Sequence, residues 1–218
     1  RVWMRARMAH ARAWEAANAS RHLYGSAGMG AQRAAWVEAF CAEAAAIDGD
    51  EQGQALLDLT KAFETIPHNK LIEAAARRGY PPVIPNMSLA AYRLKRSVGI
   101  DGIYSRSVRA TQRITAGSGF AAAELRLLLL DVVGPVKERW GDAIGITLYV
   151  DDLTLSARGA RRYVATTIAA VVEFVVHIFE KDLLPTVSRT KSTIVASRKS
   201  LAKEIAKCTK SKAFKPFS

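Results

Sequence analysis

Alternating apolar and polar positions are clearest around a pair of aspartates, Asp151 and Asp152. Apolar side chains stand at every second position before and after this pair, at Ile144, Ile146, Leu148, Val150, Leu153 and Leu155. A period of two is typical of a half-buried strand. Because aspartate tolerates turn geometry, the pattern predicts a hairpin whose tip is formed by residues 150–152.

Helical spacing occurs in the alanine-rich residues 31–47. The apolar residues at that spacing are Trp36, Val37, Phe40 and Ala44. They predict one amphipathic helix with these side chains on its apolar face. Residues 48–53 predict a loop, and residues 54–59 predict a short buried strand with Asp58 near its carboxyl end.

Helix punctuation marks two further segments. Residues 67–79 begin with proline and carry asparagine in the first turn, and they end in glycine, which predicts a helix between these residues. Residues 117–133 open on glycines and predict a second helix. Gly134 and Pro135 are expected to stop this second helix, since proline removes a backbone donor.

The apolar patterns in residues 161–197 add a helix and a strand, and with them the element order predicts a fold class. Residues 161–180 predict a helix packed on a sheet, and residues 192–197 predict a closing strand. The predicted apolar face of that helix contains Val164, Ile168, Val171, Val172, Val175, Ile178 and Phe179. The order strand, helix, helix, hairpin, helix, strand predicts an α+β fold, an antiparallel sheet backed by helices on one face. Residues 83–113 show no strong period and predict an irregular, basic region.

Length and composition are those of a globular protein. The chain has 218 residues, half of them apolar, enough to bury the core of one domain or of two closely joined lobes. No run of 18 uncharged apolar residues occurs, so a membrane span is not expected. The first residues hold neither an initiating Met nor a signal-peptide core, which indicates a piece of a longer chain. Cys41 and Cys208 stand apart and predict neither a disulfide framework nor a zinc site.

The net charge of +12 indicates a polyanionic partner. Residues 1–33 hold six Arg against one Glu, and residues 198–218 hold seven Lys or Arg against one Glu. Residues 77–113 carry eight basic residues and one acid, whereas residues 34–76 carry two basic residues and eight acids. Basic blocks on both sides of an acidic centre suit nucleic acid, although a solvated basic surface has the same composition.

The two adjacent aspartates allow two interpretations. Asp151 and Asp152 can be a solvated hairpin tip, which is the ordinary role of such residues. They can also hold divalent cations, provided that a third carboxylate comes from elsewhere. Asp58, at the end of a predicted strand, is the candidate partner. Two-metal phosphoryl transfer needs carboxylates that bridge two ions roughly 3.5–4 Å apart, and oxygen ligands suit Mg²⁺.

Four segments carry a family resemblance: DLTKAFETIPH (58–68), AGSGFAAAEL (116–125), LYVDDLTL (148–155) and LPTVSRTKSTIVAS (184–197). In order and approximate spacing they resemble the palm motifs of reverse transcriptases of the non-LTR retrotransposon and group II intron type. The first motif has an aspartate followed five positions later by the aromatic Phe63, and the third is Tyr-x-Asp-Asp. Residues 22–36, HLYGSAGMGAQRAAW, are similar to the fingers segment that precedes these motifs.

The resemblance implies roles for individual residues. Asp58, Asp151 and Asp152 would be catalytic and, with the backbone carbonyl of Leu59, would hold two Mg²⁺ ions, for which Mn²⁺ can substitute. The residues implied in nucleotide binding are Leu59, Thr60, Lys61, Ala62, Phe63, Gly117, Ser118, Tyr149 and Lys191. The ring of Phe63 would lie under the sugar of the incoming nucleotide and exclude a 2′-hydroxyl, which favours deoxynucleotides.

The second motif departs from the family's pattern, Gly-x-Pro-Gln-Gly-Ser-Pro. Gly117 and Ser118 match it, but Ala116 takes the glutamine position and both prolines are missing. The resemblance implies a right-hand polymerase palm with partial fingers, and a thumb is expected to be absent because only 21 Lys-rich residues follow Ser197. The implied domains are partial fingers at 1–57, a palm at 58–197 with a basic fingers-like insertion at 77–113, and a basic palm-to-thumb connection at 198–218.

The expected function is RNA-directed DNA polymerisation by a retroelement enzyme. Its expected partners are an RNA template, a DNA primer, deoxynucleoside triphosphates and further domains of a parent polyprotein, such as a thumb or an endonuclease, with no membrane. Its expected location is intracellular, and nuclear for a eukaryotic element. Two alternatives stay open: an inactive relic that acts as a basic nucleic-acid-binding module, and an RNA-directed RNA polymerase, against which Phe63 argues.

Overall fold

A computed structural model describes residues 2–115, 117–183, 185–209 and 215–216. Ala116 of the second motif and, within the predicted basic connection, residues 210–214 and 217–218 lie outside the described residues. The elements are, in chain order, α1 (Val2–Ala17), α2 (Ala31–Asp48), β1 (Glu51–Asp58), α3 (Ala62–Thr65), α4 (His68–Arg77), α5 (Val83–Tyr92), β2 (Gly99–Ile100), β3 (Ile103–Tyr104), α6 (Ala121–Trp140), β4 (Gly145–Tyr149), β5 (Asp152–Gly159), α7 (Arg161–His177), β6 (Thr193–Ala196), α8 (Lys199–Cys208) and β7 (Lys215–Pro216).

The chain divides into two compact units. A helical unit contains Arg1–Asn18 and Lys61–Leu128, and a sheet unit contains Ala19–Thr60 and Leu129–Ser218. These units are defined by packing alone. The fingers, palm and connection boundaries implied by the sequence are functional divisions and stay a prediction.

The sheet unit is built on a five-stranded sheet with the order β4-β5-β1-β6-β7. β1 lies between β5 and β6 and is antiparallel to both, and β4 and β5 form the predicted antiparallel hairpin. The short β7 pairs parallel to β6. The mixed helix and antiparallel-sheet fold predicted from the sequence is therefore confirmed, with one short parallel strand at an edge.

One face of this sheet, the covered face, is apolar and lies under α7 and α8. The strand residues that face the helices are Ala55, Leu57, Leu153, Leu155 and Ile194, and all are buried. All seven residues of the predicted apolar face of the 161–180 helix are also buried, so that prediction is confirmed. A Cβ at Gly53 would lie 2.7 Å from Ile205 Cδ1 and 2.8 Å from Val164 Cγ1. Gly53 therefore lets the helices approach the strand closely.

The same helix is long and apolar. Among the described residues, Arg161–Leu183 is the one helical segment whose length and composition would allow it to cross a membrane, and 56% of its apolar window is buried within the protein. The core helix of a globular protein can have the same length and composition. The buried face of α7 lies on the sheet, and its last turn continues as a π-helical segment, Ile178–Leu183.

The other face, the open face, is polar, and α2 lies across it, with Ala31 and Ala34 beside the Asp58 end. Glu38 of α2 accepts hydrogen bonds from Gln54 of β1 at 2.9 Å and from Thr147 of β4 at 2.7 Å. The predicted apolar face of α2 is wrong, because Trp36 and Phe40 are 69% and 71% exposed. Ala34 and Ala45 are buried instead. The side of α2 that carries Glu38 and small alanines packs on the polar sheet face. Its large apolar side chains therefore point toward solvent.

Two element boundaries also differ from prediction. β1 begins at Glu51, inside the predicted loop, because Glu51 pairs with Gly159 of β5, a partner too distant in sequence for a local pattern to reveal. α6 continues through Pro135 to Trp140, although a stop was predicted there. Val136, directly after the proline, is buried with Val132 and Val133. Packing of this face outweighs the hydrogen bond that proline removes.

Several elements have no counterpart in the sequence predictions. They are α1, α3, α5, the β2–β3 hairpin, α8 and β7. Residues 83–113 are therefore not wholly irregular as predicted, because α5 buries Ile84 and Leu89 in the helical unit. The β2–β3 hairpin turns through Asp101 and Gly102, both with positive φ, as a tight hairpin turn requires.

Candidate active site

Two of the three predicted carboxylates face each other across neighbouring strands. Asp58 is the last residue of β1, and its partner on β5 is Asp152. Residues directly opposite each other project from the same face of a sheet, with Cβ atoms about 4.5–5.5 Å apart. Tyr149 of β4 is the partner of Asp152 on its other side. The three side chains therefore form a row across the end of the open face.

The third carboxylate belongs to the turn that joins β4 to β5. Val150 has a φ of 56°, in the left-handed region that β-branched residues rarely adopt. Asp151 follows it directly, between Val150 and the first residue of β5. Strained backbone of this kind is concentrated at functional sites and costs about 1–3 kcal/mol. The predicted hairpin tip is thus a strained turn that presents Asp151 beside Asp152.

Negative charge accumulates at this end of the sheet. The pKa of the Asp152 carboxyl is raised, first by partial burial and then by the charges of Asp151 and Asp58, while Lys191 acts in the opposite direction. A raised pKa means that the ionised carboxylate lacks full compensation by cations and donors. Asp151 and Asp58 therefore add negative charge next to Asp152, and Lys191 offsets part of it.

The segment before β6 anchors the end of β1 and brings Lys191 to the site. The backbone N–H of Asp58 donates to Ser192 Oγ at 3.0 Å, and the Asp58 carbonyl accepts from the backbone N–H of Ser188 at 2.7 Å. Thr60 N–H donates to the carbonyl of Thr186 at 2.8 Å. Lys191 Nζ then lies 3.9 Å from Asp58 Oδ2. The sequence singled out Lys191, but Ser188 and Ser192 are anchors that no sequence pattern indicated.

A cleft of about 390 Å³ opens beside these side chains, within the sheet unit. Asp58, Asp152, Tyr149 and Lys191 line it, together with the first turn of α2 at Ala31. The small side chains at the start of α2 leave this space open over the polar end of the sheet. The cleft has room for a polar ligand directly against the two facing carboxylates.

The donor set fits a hard divalent cation. Asp58 Oδ2 is buried and has no hydrogen-bond partner within the described part of the chain, which leaves an oxygen available as a ligand. Over the described residues, no group of three or more His, Cys, Asp or Glu side chains is arranged to enclose an ion. Mg²⁺ is ordinarily held by one or two carboxylates together with substrate phosphates and water. A facing pair of aspartates on an open cleft matches that requirement.

The remaining predicted site residues fall in both units. Leu59 is buried and forms an isolated bridge with Val187 in the sheet unit, next to the exposed Thr60. In the helical unit, Lys61 has a φ of 50° and precedes α3, which starts with the buried Ala62. The carbonyl of the half-buried Phe63 accepts from the backbone N–H of Ile114 at 2.7 Å.

The matching residues of the second motif are also in the helical unit. Gly117 has a φ of 84°, a conformation that glycine adopts without steric cost. Ser118 Oγ accepts a hydrogen bond from the backbone N–H of Phe120 at 3.3 Å, just before α6. Both residues belong to the turn that starts this helix. The conformation of Gly117 explains why a glycine stands there, and the roles of both residues in nucleotide binding stay a prediction.

Comparison with known proteins identifies the family. The family model described as reverse transcriptase (RNA-dependent DNA polymerase) matches residues 10–212. No curated protein sequence matches the chain. Similar solved structures include telomerase from Candida tropicalis in complex with a TWJ fragment of telomeric RNA, with a TM-score of 0.66 and 12% identity over 88% of this chain.

Two further structures give the same result. Apo telomerase from Candida tropicalis, truncated from its C-terminal domain, has a TM-score of 0.60 and 10% identity over 89% of this chain. Telomerase from Candida albicans with a TWJ fragment has a TM-score of 0.56 and 8% identity over 86% of it. The chain spans only 33%, 34% and 40% of the lengths of these three structures. At such low identity, the likeness concerns the fold alone.

Proposed function

The chain belongs to the reverse transcriptase (RNA-dependent DNA polymerase) family, and from this premise we propose that the open end of its sheet is the catalytic centre of an RNA-directed DNA polymerase. The proposed reaction joins the 3′-hydroxyl of a DNA primer to a deoxynucleotide and releases pyrophosphate. The observation that carries the proposal is the pairing of Asp58 with Asp152, beside the turn that holds Asp151. Family membership supports this chemistry, and the pairing of these two carboxylates supports this location.

The proposed metal ligands are Asp58, Asp151, Asp152 and the backbone carbonyl of Leu59. When bound, two Mg²⁺ or Mn²⁺ ions supply the Lewis-acid chemistry of nucleotidyl transfer. The chain itself holds the backbone of Asp58 in place, because its carbonyl accepts from the Ser188 N–H and its own N–H donates to Ser192 Oγ. Lys191 holds a positive charge 3.9 Å from Asp58 Oδ2, where it can bind a triphosphate oxygen.

The other nucleotide contacts follow from the motifs. Thr60 and Lys61 would contribute to the triphosphate pocket, and Ala62 and Tyr149 are further proposed nucleotide-binding residues. Phe63 would lie under the sugar and reject ribonucleotides by its bulk. Gly117 and Ser118 would let the backbone approach the template or the nucleotide closely.

The proposed partners are an RNA template and a DNA primer. The excess of basic residues in 1–33, 77–113 and 198–218 supports contacts with nucleic-acid phosphates. The motif style supports a retroelement parent that carries further domains such as a thumb or an endonuclease. Such an enzyme would act inside the cell where its DNA target lies, which is the nucleus for a eukaryotic element.

A second candidate function is that of an inactive relic that binds nucleic acid through its basic surfaces. The departures in the second motif favour it, because Ala116 replaces the glutamine and both prolines are missing. Retention of Asp58, Asp151 and Asp152 favours the polymerase, since a binding module has no need of paired carboxylates. Catalysis and binding must therefore be measured separately.

The decisive experiment compares primer extension and primer-template binding in two variants, Asp58→Asn and Asp151→Asn. Loss of one metal-binding carboxylate should lower the extension rate by about 1,000-fold, which corresponds to about 4 kcal/mol. Binding should change little, because phosphate contacts by Lys and Arg dominate affinity. Asp50→Asn is the matched control, since Asp50 precedes the opposite end of β1 and should leave extension unchanged.

Other outcomes point elsewhere. Equal loss of extension and binding in Asp151→Asn would show that the carboxylate is structural and not catalytic. A wild-type chain that binds primer-template tightly, with a steep salt dependence, but extends it with neither Mg²⁺ nor Mn²⁺ would support the relic.

A further inference from the structure

The strained turn at Val150 needs support from outside the hairpin. A β-branched residue at a φ of 56° persists only where the surrounding structure fixes it. Among the described residues, β4 is the edge strand of its sheet, so β5 is its one neighbouring strand in that sheet. The hairpin therefore depends on whatever else contacts β4 and its tip.

A short segment, His22–Gly25, made of turns around one bridge residue, lies along the outer edge of β4. Leu23 forms a parallel bridge with Leu148. Leu148 N–H donates to the carbonyl of His22, and Tyr24 N–H donates to the carbonyl of Leu148, both at 2.8 Å. The side chains of Leu23 and Tyr24 are buried in the sheet unit. The segment is thus fixed by backbone pairing and by two buried side chains. Its pairing partner Leu148 lies two residues before the strained turn at Val150.

Gly25 is the point where this segment meets the turn. A Cβ placed on Gly25 would lie 3.4 Å from Val150 N and 3.6 Å from Val150 Cγ2. A methyl group there makes ordinary van der Waals contact with Val150, and we expect the further atoms of a branched side chain to displace Val150 or the segment. The loop that follows is closed by Gly30 N–H, which donates to the carbonyl of Tyr24 at 2.8 Å. Because the segment is anchored on both sides, displacement falls on the turn.

We propose that Gly25 is a positioning residue for the catalytic turn. The His22–Gly25 segment supports β4, and the absence of a bulky side chain at Gly25 lets its backbone lie against Val150. This contact holds Val150 in its strained conformation and so fixes Asp151 and Asp152 relative to Asp58. The inference deepens the proposed polymerase function and rests on it for the meaning of the site, but the geometry of the turn can be measured without activity.

The first test varies side-chain size at Gly25. Gly25→Ala should behave like wild type, because its Cβ only touches Val150. Gly25→Val should lower the primer-extension rate by about 100-fold, the scale expected when catalytic groups move by about 1 Å, and should leave primer-template binding unchanged. Ala27→Val is the matched control, since Ala27 is an exposed residue of the same loop. Equal loss in Ala27→Val, or no loss in Gly25→Val, would overturn the proposal.

The second test asks whether the effect passes through Val150. The Gly25→Val/Val150→Ala double variant removes Cγ2, the atom nearest to the new side chain after the backbone nitrogen. Its extension rate should be close to that of Val150→Ala alone, which is a strong coupling between the two sites. Independent, multiplicative losses would show that Gly25 does not act on the turn and would overturn the proposal.

A third readout is independent of polymerase activity. Amide hydrogen exchange at Val150 and Asp151 should be faster in Gly25→Val than in wild type, while exchange within α7 stays unchanged. Gly25→Ser supplies the same comparison if the valine variant unfolds, as judged by thermal unfolding. If wild type extends no primer, the proposed function fails, yet the exchange data still decide the inference. Unchanged exchange at the turn in a folded variant would overturn it.

Discussion

The two faces of the central sheet divide stability from chemistry. On the covered face, Leu57, Leu155 and Ile194 are fully buried beneath α7 and α8. On the open face, the same strands present Asp58, Asp152 and Thr154 to a cleft. Alternation along each strand assigns neighbouring residues to opposite faces, so Leu57 and Asp58 are adjacent in sequence but differ entirely in role.

This contrast shows how a protein can keep clustered negative charge at one sheet end. Burial of apolar surface contributes about 25 cal/mol per Å², and the covered face supplies that stabilisation along the length of β1. The open face can then hold facing aspartates that repel each other. We expect substitutions on the covered face to lower stability, and substitutions on the open face to alter chemistry with little or opposite effect on stability.

The largest expected effect on stability is that of Ile168→Ala on the covered face. Ile168 is fully buried in α7, so truncation leaves a cavity and should lower the free energy of unfolding by about 2–5 kcal/mol. Urea unfolding followed by circular dichroism measures this change. Thr166→Ala, on the exposed side of the same helix, should change it by no more than about 0.5 kcal/mol. Equal effects would contradict the division between faces.

Gly53→Ala should have the next largest effect. Its Cβ would lie within 2.8 Å of Val164 and Ile205, and such overpacking typically costs about 1–3 kcal/mol. Gly134→Ala is a matched control with open space around it. That control should raise stability by about 0.4–1 kcal/mol, because alanine has less freedom in the unfolded chain. Opposite shifts of the two melting temperatures would establish the close approach at Gly53.

Asp152→Asn should stabilise the chain in the absence of divalent cations. The pKa of Asp152 is raised in the folded state, so its folded form binds protons more tightly than its unfolded form does. Stability is then highest below the unfolded pKa of about 3.9 and falls as pH rises through the folded pKa. In the variant, stability no longer falls with pH at this position. The variant also lacks the repulsion between Asp152 and Asp58, which should stabilise it by about 0.2–1 kcal/mol.

The measurement is the urea midpoint of wild type and Asp152→Asn at pH 3 and pH 7. The midpoints should agree at pH 3, where both chains are uncharged at this position, and the variant should be higher at pH 7. The same variant should lose primer extension. A variant less stable than wild type at pH 7 would show that Asp152 is held by favourable contacts, and the contrast between faces would fail.

The smallest expected effect is that of Lys191→Met. Its Nζ lies 3.9 Å from Asp58 Oδ2, but the side chain is 73% exposed. Exposed ion pairs contribute about 0–1 kcal/mol, so the variant should be slightly less stable at low salt. The difference should vanish in 1 M salt, where the screening length is about 3 Å. A difference that persists at high salt would indicate packing by the lysine stem.

Local periodicity predicted those parts of the fold in which one side of an element is apolar. The hairpin around Asp151 and the buried face of α7 were predicted because a polar and an apolar side alternate with the period of the element. The same reasoning failed for α2. Its large apolar residues, such as Trp36, do not face the sheet, because Glu38 and small alanines make that contact.

Sequence analysis predicted the charged residues of the candidate site, but it did not predict the residues that hold them in position. Asp58, Asp152 and Lys191 belong to recognisable motifs, and the structure brings them to one cleft. Ser192, Ser188 and Gly25 act through backbone hydrogen bonds and close approach, which depend on tertiary pairing. A serine or glycine in a loop has no distinguishing pattern, so these residues became visible only with the sheet register.

The central position of β1 has a consequence for how the chain folds. β1 separates β5 from β6, although β5, α7 and β6 follow each other directly in sequence. Until β1 is inserted, the partly formed sheet has a slot with two unpaired strand edges, which are open to any extended segment. Its pairing with β5 joins residues roughly 100 positions apart, so we expect insertion to be slow. We therefore expect misfolding of this topology to involve other extended segments that occupy the position of β1, including the β1 strand of a second copy of the chain.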